Sequence, residues 1–466
     1  MLSPSICSIR SKLDGDDQAI KQDGHSTKPR LEKTGKLWEV ALSSETYFLR
    51  STQSVDPNAS LEDRFASAVA NTGNYFFEEA LADHLEEART VYSFEDLPEA
   101  YGTLVLSMSN FLSPATDLGW FAEQIEAKSV EKIVMVGAGA QAYEYTDHVP
   151  LTDGTLRFIH LLAEKGTTIG VRGYFTAEVL AGYGIKNVDV IGCPTAYWSG
   201  RKPIRPAPAK LERLAVHCTP EGFFRDKVGA LFKHAITHDA SYVIQSEKWM
   251  IPLINEAFAS GKAEQNSEGR VSYYSYGFAS PEDVVRWLQR KALVFFGMTE
   301  WISAMEGFDF VYGARFHGNM AAIQAGTPAL NMPFDTRTRE LCEYLNLPHL
   351  PFERFNGLLT PEQLFDMTDF SAFEKTYSSR MTTYKNFLES NGLKTKNLAS
   401  SPTNGSQQRQ KSISSFVALL TRDFISGDIS KSDFMREIEL RVRGDRTHEE
   451  RKAVENGAIL PVEPTS

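Results

Sequence analysis

The sequence predicts an α/β protein of two Rossmann-like domains with a helical appendage at the end. Three observations carry that reading. Short β-prone runs bounded by glycine alternate with helical stretches over residues 103–194, and a second such series runs from residue 214 to residue 345. This alternation describes parallel sheets with crossover helices. Between the two series, residues 199–210 are rich in Pro, Arg and Lys and read as an interdomain linker. The chain's 466 residues are also too many for one ordinary domain. The predicted division is an N-terminal arm over 1–36, a first domain over 37–200, a second over 208–394, and a linker with a helical tail over 395–466.

Residues 1–36 are polar and lack periodicity, so they read as a mobile arm. Structure is expected to begin within 37–49. The turn Asn71-Thr-Gly-Asn74 leads into an amphipathic helix over 75–87, with Phe76, Phe77, Ala80, Leu81 and Leu85 on one side. Strands are expected over 103–108, 132–136, 167–171 and 188–191, and helices over 118–127, 155–164 and 176–183. The second series has strands over 214–218, 241–245, 308–312 and 329–332. Its helices include one capped by Ser280 with Pro281 at its first position, and others over 299–305, 319–325 and 338–345. Gly326 stands where a left-handed helix cap belongs, with Pro328 just beyond. Residues 361–393 read as mostly helical. Residues 395–411 are Ser/Asn/Gln-rich, and 412–442 carry apolar positions at helical spacing, an appendage suited to docking on the body or on a partner.

Composition bounds the function. With 42% hydrophobic and 23% charged residues the chain is globular, and its net charge of -11 argues against a general nucleic-acid binder while leaving room for a local basic pocket. No signal peptide and no membrane-spanning run is expected. Cys7, Cys193, Cys218 and Cys342 are scattered with no C-x-x-C pair, so a disulfide framework or zinc knuckle is not expected and a reducing cytoplasm fits.

The most informative stretch is 310–330, FVYGARFHGNMAAIQAGTPAL. A buried strand leads through a turn carrying Arg315 and His317 into a short helix. If the turn is extended, the two side chains point to one side. A strand-to-helix turn in an open α/β sheet is where ligands bind, and the helix start favours an anion. Arg172 ends a strand of the first domain, so two facing domains would bring it to the same cleft. Two guanidiniums and an imidazole suit a small ligand with carboxylate and phosphate groups. The glycines of Gly137-Ala-Gly-Ala-Gln141 allow close backbone approach, without forming a full dinucleotide-binding fingerprint.

Other candidates are weaker. His234 and His238, four apart, read as solvated helix histidines and not as a metal pair. His217 beside Cys218 ends a strand and could line the cleft or, as is commoner for such a pair, serve packing. Arg337 and Arg339 could bind acceptor or phosphate, or flank a helix start. Lys248 and Trp249 could make a sugar platform or, as is commoner for Trp, belong to the core.

Residues 171–180 (VRGYFTAEVL), 184–185 (GI) and 190–194 (VIGCP), with 313–318 (GARFHG) running on to 325–328 (AGTP), resemble the polysaccharide pyruvyl transferase family. Residues 71–74 (NTGN) and 137–141 (GAGAQ) resemble its weaker N-terminal signatures. The resemblance spans about residues 71–347. It implies a fold like that of two-domain GT-B glycosyltransferases, phosphoenolpyruvate as donor, and a sugar diol, free or lipid-linked, as acceptor that becomes a pyruvate ketal. The donor-binding arginines carry over onto Arg172 and Arg315 and the catalytic histidine onto His317. Phe316, where the family usually has Leu, would contact the donor through its backbone. Asn71, Gly73, Asn74, Asn110, Gly139, Gln141 and Arg337 complete the expected substrate contacts. Asn74, Cys193 and residues 108–110 depart from the family pattern, on the acceptor side. No metal and no cofactor beyond the donor is expected. The expected location is the cytoplasm, with peripheral contact to membrane-bound polysaccharide assembly enzymes. Two other readings stay open: a nucleotide-sugar glycosyltransferase of the same gross fold, and a non-catalytic sugar- or anion-binding scaffold.

Overall fold

Eleven strands among the described residues, all paired in parallel, form the frame. The computed structural model describes residues 45–398, apart from 54, 55, 57, 147, 220–223 and 255–279. The predicted N-terminal arm, the helical appendage and Cys7 lie outside the described residues.

The first domain contains β1 (Thr46–Leu49), α1 (Leu61–Ser67), α2 (Gly73–His84), β2 (Ala88–Val91), β3 (Ala100–Ser107), α3 (Gly119–Glu126), β4 (Ser129–Val136), α4 (Asp153–Lys165), β5 (Ile169–Val171), α5 (Tyr174–Gly182) and β6 (Val188–Val190). β2, β1, β3 and β4 lie side by side in that order, and β5 pairs with β6. The two pieces join where the Gly137 and Ala138 N–H groups donate to Gly170 O at 2.9 and 3.0 Å. The buried runs LVL of β3 and IVMV of β4 explain their central place, since strands covered on both faces read as continuous apolar runs. β2, with the sequence ARTV and a half-exposed edge, has no such signal and went unpredicted.

The second domain contains β7 (Leu214–His217), α6 (Arg225–Thr237), β8 (Ser241–Val243), α7 (Ile251–Ile254), α8 (Pro281–Lys291), β9 (Ala292–Leu293), α9 (Met298–Met305), β10 (Phe310–Gly313), α10 (Phe316–Gln324), β11 (Ala329–Asn331), α11 (Thr336–Leu345), α12 (Pro361–Phe365) and α13 (Ser371–Ser390). Its strands lie in the order β11, β10, β7, β8, β9. Chain order therefore reverses between β7 and β10, and such a switch point opens a crevice at the carboxyl ends of the strands. The Ser280 side chain accepts from Asp283 N at 3.1 Å in a capping box, which starts α8 where the sequence placed it. Gly326 has φ +76 and ends the α10 segment as expected.

The linker does not hang free. Lys202 N donates to Gln324 O at 3.0 Å, Arg205 N donates to Gly326 O at 2.8 Å, and Arg201 makes a two-pronged pair with Glu374 at 2.7 and 2.8 Å. α13 crosses back onto the first domain. Tyr384 stacks on Tyr197 at 4.8 Å and accepts or donates a bond to His84 Nδ1 at 3.1 Å, and Asn391 Nδ2 donates to Thr168 Oγ1 at 3.2 Å. One apolar cluster consequently holds residues of both sheets, among them Val105, Val134 and Ile191 with Ala215, Val243 and Val311. α2 is wedged between the domains, with Phe76 against Trp301 of α9 at 5.8 Å. Among the described residues no helix is long and apolar enough to cross a membrane.

Candidate active site

The switch point of the second sheet is closed by a bond between its two central strands. Arg315 N, just past β10, donates to His217 Nδ1 at the end of β7, at 3.1 Å. The Arg315 side chain turns along the same seam: Nε donates to Cys218 O at 3.0 Å, and a terminal nitrogen donates to Ser246 Oγ. Arg315 is the extended N-cap residue of α10. His317 therefore sits in the first turn of the helix, which begins three residues earlier than the sequence suggested. The extended-turn expectation does not hold. The two side chains diverge, Arg315 toward β7 and β8, His317 toward the first domain. Phe316 between them is buried in the shared apolar cluster.

The first domain presents Arg172 at the end of β5, where the strand pattern put it. Its Nε donates to Gly137 O at 2.9 Å, and the side chain is buried. Among the described residues no carboxylate forms an ion pair with Arg172 or Arg315. Burial is the largest influence on Arg172 and lowers its pKa to about 10, with Arg337 acting in the same direction, so it remains a cation near neutrality. Arg337 reaches this point from the first turn of α11, held by Asp335 at 3.0 Å. Gly139 makes the meeting possible. A Cβ there would lie 2.8 Å from Ser109 O, 3.0 Å from Arg337 Cγ and 3.1 Å from Arg172 Cδ.

His317 keeps part of its surface open but is packed closely by α2. Its ring lies 6.0 Å from that of Phe76 and 5.7 Å from that of Phe77, and Nε2 is 3.8 Å from Cys193 Sγ. Burial first, then the charges of Arg172, Arg337 and Arg315, hold its pKa well below that of an ordinary histidine. The imidazole is thus neutral near pH 7, and three cations from both domains act on it. A Cβ on Gly73 would lie 2.8 Å from His317 Nδ1, 3.1 Å from Asn71 Oδ1 and 3.3 Å from Gln245 Oε1, so Asn71 and Gly73 border the same place.

The other predicted contacts are less direct. Asn74 Nδ2 donates to Ala68 O at 3.1 Å, a local structural bond. Asn110 is held by Ser109, whose hydroxyl is 3.5 Å from its Oδ1. Gln141 Nε2 donates to Asp335 Oδ2 at 3.3 Å, so it supports the carboxylate that positions Arg337. Arg339 lies against Tyr145 and pairs with Glu353 at 3.2 Å, outside this cluster.

One weaker expectation is corrected. His234 is buried and not solvated, bonded to the Tyr312 hydroxyl at 2.8 Å and to Leu359 O at 2.7 Å. Trp249 is buried in the core of the second domain, the commoner of the two readings its sequence allowed. Among the described residues no group of His, Cys, Asp and Glu side chains is placed to hold a metal ion.

Sequence reasoning missed Gln245 and Glu340. Gln245 sits two residues past β8, which in a parallel sheet is itself a signal of cleft position. Glu340, buried on α11, accepts from Thr176 N at 2.9 Å and from Thr176 Oγ1 at 2.5 Å across the domain seam. Burial raises its pKa to about 7.

Two α/β domains with parallel sheets meet at a cleft that gathers three guanidiniums and a neutral imidazole. The chain belongs to the polysaccharide pyruvyl transferase family, whose sequence model matches residues 71–335, more than half its length. No curated protein is significantly similar in sequence. Solved structures with some similarity include S. aureus MnaA with UDP, at 11% identity, TM-score 0.36, 74% of this chain and 98% of that one. A functionally uncharacterised protein of Klebsiella pneumoniae has 11% identity and TM-score 0.34, over 68% and 92% of the two chains.

Proposed function

We propose that the protein transfers the enolpyruvyl group of phosphoenolpyruvate to a sugar diol of a polysaccharide or its precursor, forming a pyruvate ketal and releasing phosphate. The observation that carries this reading is the positive charge that Arg172, Arg337 and Arg315 bring to bear on His317, with no carboxylate ion-paired to Arg172 or Arg315 among the described residues. Such a group is matched by a compact ligand with several negative charges. Arg172 and Arg315 hold its phosphate and carboxylate, and Arg337 adds charge on the first-domain side. No cofactor beyond the donor is needed.

In the net reaction, C2 of the donor loses its bond to the phosphate oxygen and gains two bonds to sugar oxygens. C3 gains one proton and becomes methyl. The two hydroxyl protons balance that proton and the one carried off by phosphate. His317 delivers a proton, to C3 or to the departing phosphate. It must first acquire one, and the donor supplies the means. A negative charge at about 4 Å offsets a neighbouring cation by roughly 4 kcal/mol at an intermediate dielectric, enough to move the imidazole's pKa by about three units. Fixed guanidiniums then stabilise charge as it gathers on the leaving phosphate.

The test is phosphate release from phosphoenolpyruvate with a panel of sugar acceptors, together with a mass search for the pyruvate ketal in cell polysaccharide with and without the protein. Acceptor-dependent release that Arg172→Ala and His317→Ala abolish is the expected result. Thermal stabilisation by nucleotide sugars with none by phosphoenolpyruvate would overturn the reading in favour of glycosyl transfer.

A further inference from the structure

The run Gly137–Ala142 is bonded to both domains. On the first-domain side, Arg172 N donates to Ala138 O and Arg172 Nε to Gly137 O, both at 2.9 Å. Ala140 N donates to Thr176 Oγ1 of α5 at 2.8 Å. The end of the run meets the second domain through one residue, Thr336, at the first position of α11. Thr336 Oγ1 donates to Ala140 O at 2.9 Å and accepts from Ala142 N at 3.0 Å, and Thr336 N donates to Ala142 O at 2.9 Å. Gln141, between those two alanines, donates from Nε2 to Asp335 at 3.3 Å. The Thr336 hydroxyl therefore uses its single proton and a lone pair on the backbone of the other domain. Thr336 is 0% exposed, so a ligand in the cleft does not reach it.

This bridge joins two cations that repel. Arg337 follows Thr336 in the chain, and Arg172 is bonded to the opposite end of the same run. Burial lowers the pKa of Arg172 most, and the charge of Arg337 lowers it further. Asp335 pairs with Arg337 at 3.0 Å, while among the described residues no carboxylate forms an ion pair with Arg172. Like charges in a buried place drift apart unless the backbone that carries them is held.

We propose that Thr336 is a positioning residue whose three bonds to Ala140 and Ala142 fix the spacing of Arg172 and Arg337 across the domain seam. Both guanidiniums then stand ready for one anionic group, and an anion that binds between them meets a site already arranged. The assignment rests on the reading of the cleft as the site of a phosphate-bearing donor and adds the residue that holds the two cations there.

Calorimetry of the full-length protein with inorganic phosphate and with phosphoenolpyruvate tests the proposal. Thr336→Val keeps the shape of the side chain and removes both bonds of the hydroxyl. It should weaken each anion by at least about fivefold, because a misplaced guanidinium forfeits part of a charge-assisted bond whose full loss is on the order of tenfold or more. Thr336→Ser keeps the hydroxyl and should bind within about twofold of the wild type. Thr336→Ala carries the same expectation as valine without setting a methyl group against backbone polar atoms, which keeps the test open if the valine variant does not fold. In an Arg337→Met background the loss caused by Thr336→Val should shrink to less than about twofold, since no second guanidinium is left to misplace. A purely structural threonine would lower the thermal midpoint and leave both dissociation constants unchanged, and that result would overturn the proposal. So would an undiminished loss in the Arg337→Met background, or a wild type that binds neither anion. If the anions respond as expected but no acceptor supports turnover of phosphoenolpyruvate, the functional reading fails and the positioning role stands.

Discussion

Replacing Gly73 by alanine separates the site from the fold. Gly73 opens α2 with a backbone that is not left-handed, so alanine meets no conformational obstacle. The new methyl would lie 2.8 Å from His317 Nδ1, whereas carbon normally rests about 3.5 Å or more from its neighbours. His317 must therefore retreat by roughly half an ångström to one ångström, and Asn71 and Gln245, at 3.1 and 3.3 Å, block part of the retreat. Overpacking of this size costs about 1–3 kcal/mol. Alanine returns up to about 1 kcal/mol in helix propensity. The net loss of stability is small, and a thermal melt should shift by only a few degrees. Function should suffer far more, because a misplacement of about 1 Å can cost on the order of a hundredfold in rate. The assay compares thermal midpoint, stabilisation by phosphoenolpyruvate, and acceptor-dependent phosphate release in the two proteins. Wild-type turnover in a folded Gly73→Ala protein would refute the placement of His317 at the reacting centre.

Three further outcomes are expected. Arg172→Met should weaken phosphoenolpyruvate binding by at least about tenfold, since a charge-assisted bond contributes roughly 1.5–3 kcal/mol; its melting temperature should hold or rise as an unpaired buried cation is removed, and calorimetry reads both. Binding of the anionic donor should take up a proton near pH 7, because the depressed pKa of His317 rises once the three guanidiniums are countered; the apparent enthalpy should then vary with the ionisation enthalpy of the buffer, and no variation would count against His317 as the acceptor of that proton. Glu340 has a raised pKa, so its contribution to stability is full below about pH 4.5 and lost as pH rises through about 7; Glu340→Gln should flatten the stability profile across that window by up to about 3 kcal/mol, and an unchanged slope in urea unfolding would contradict it.

The cleft was legible in the sequence to the extent that strand ends were. Arg172 and Arg315 follow buried β-prone runs closed by glycine, and parallel topology then fixes where such residues point. The glycine at 326 announced its own cap. What depends on tertiary neighbours was not legible. His234 shows the same helical spacing whether its face meets solvent or Tyr312. Arg337 reads as a helix-start residue until Gly139 brings it against Arg172. Gln245 has no motif at all; its interest comes from a side chain buried beside the cleft, which no local pattern records. The return of α13 to the first domain was equally hidden, because a helix's sequence shows that one side is apolar and not which sheet covers it.

The apolar cluster that runs through both domains has a consequence for how this protein can be altered. A large hydrophobic contact between domains suppresses their relative motion, so the two halves of the site are registered by the same packing that holds the molecule together. The halves are not interchangeable parts. A chimaera cut in the 199–210 segment would separate Arg172 from Arg315 and His317, and it would also exchange one side of a core while α13 still reached back for the other. Altering one half of the site is therefore better attempted at the loops past the strands of the first sheet than by trading the chain's first half for that of a relative.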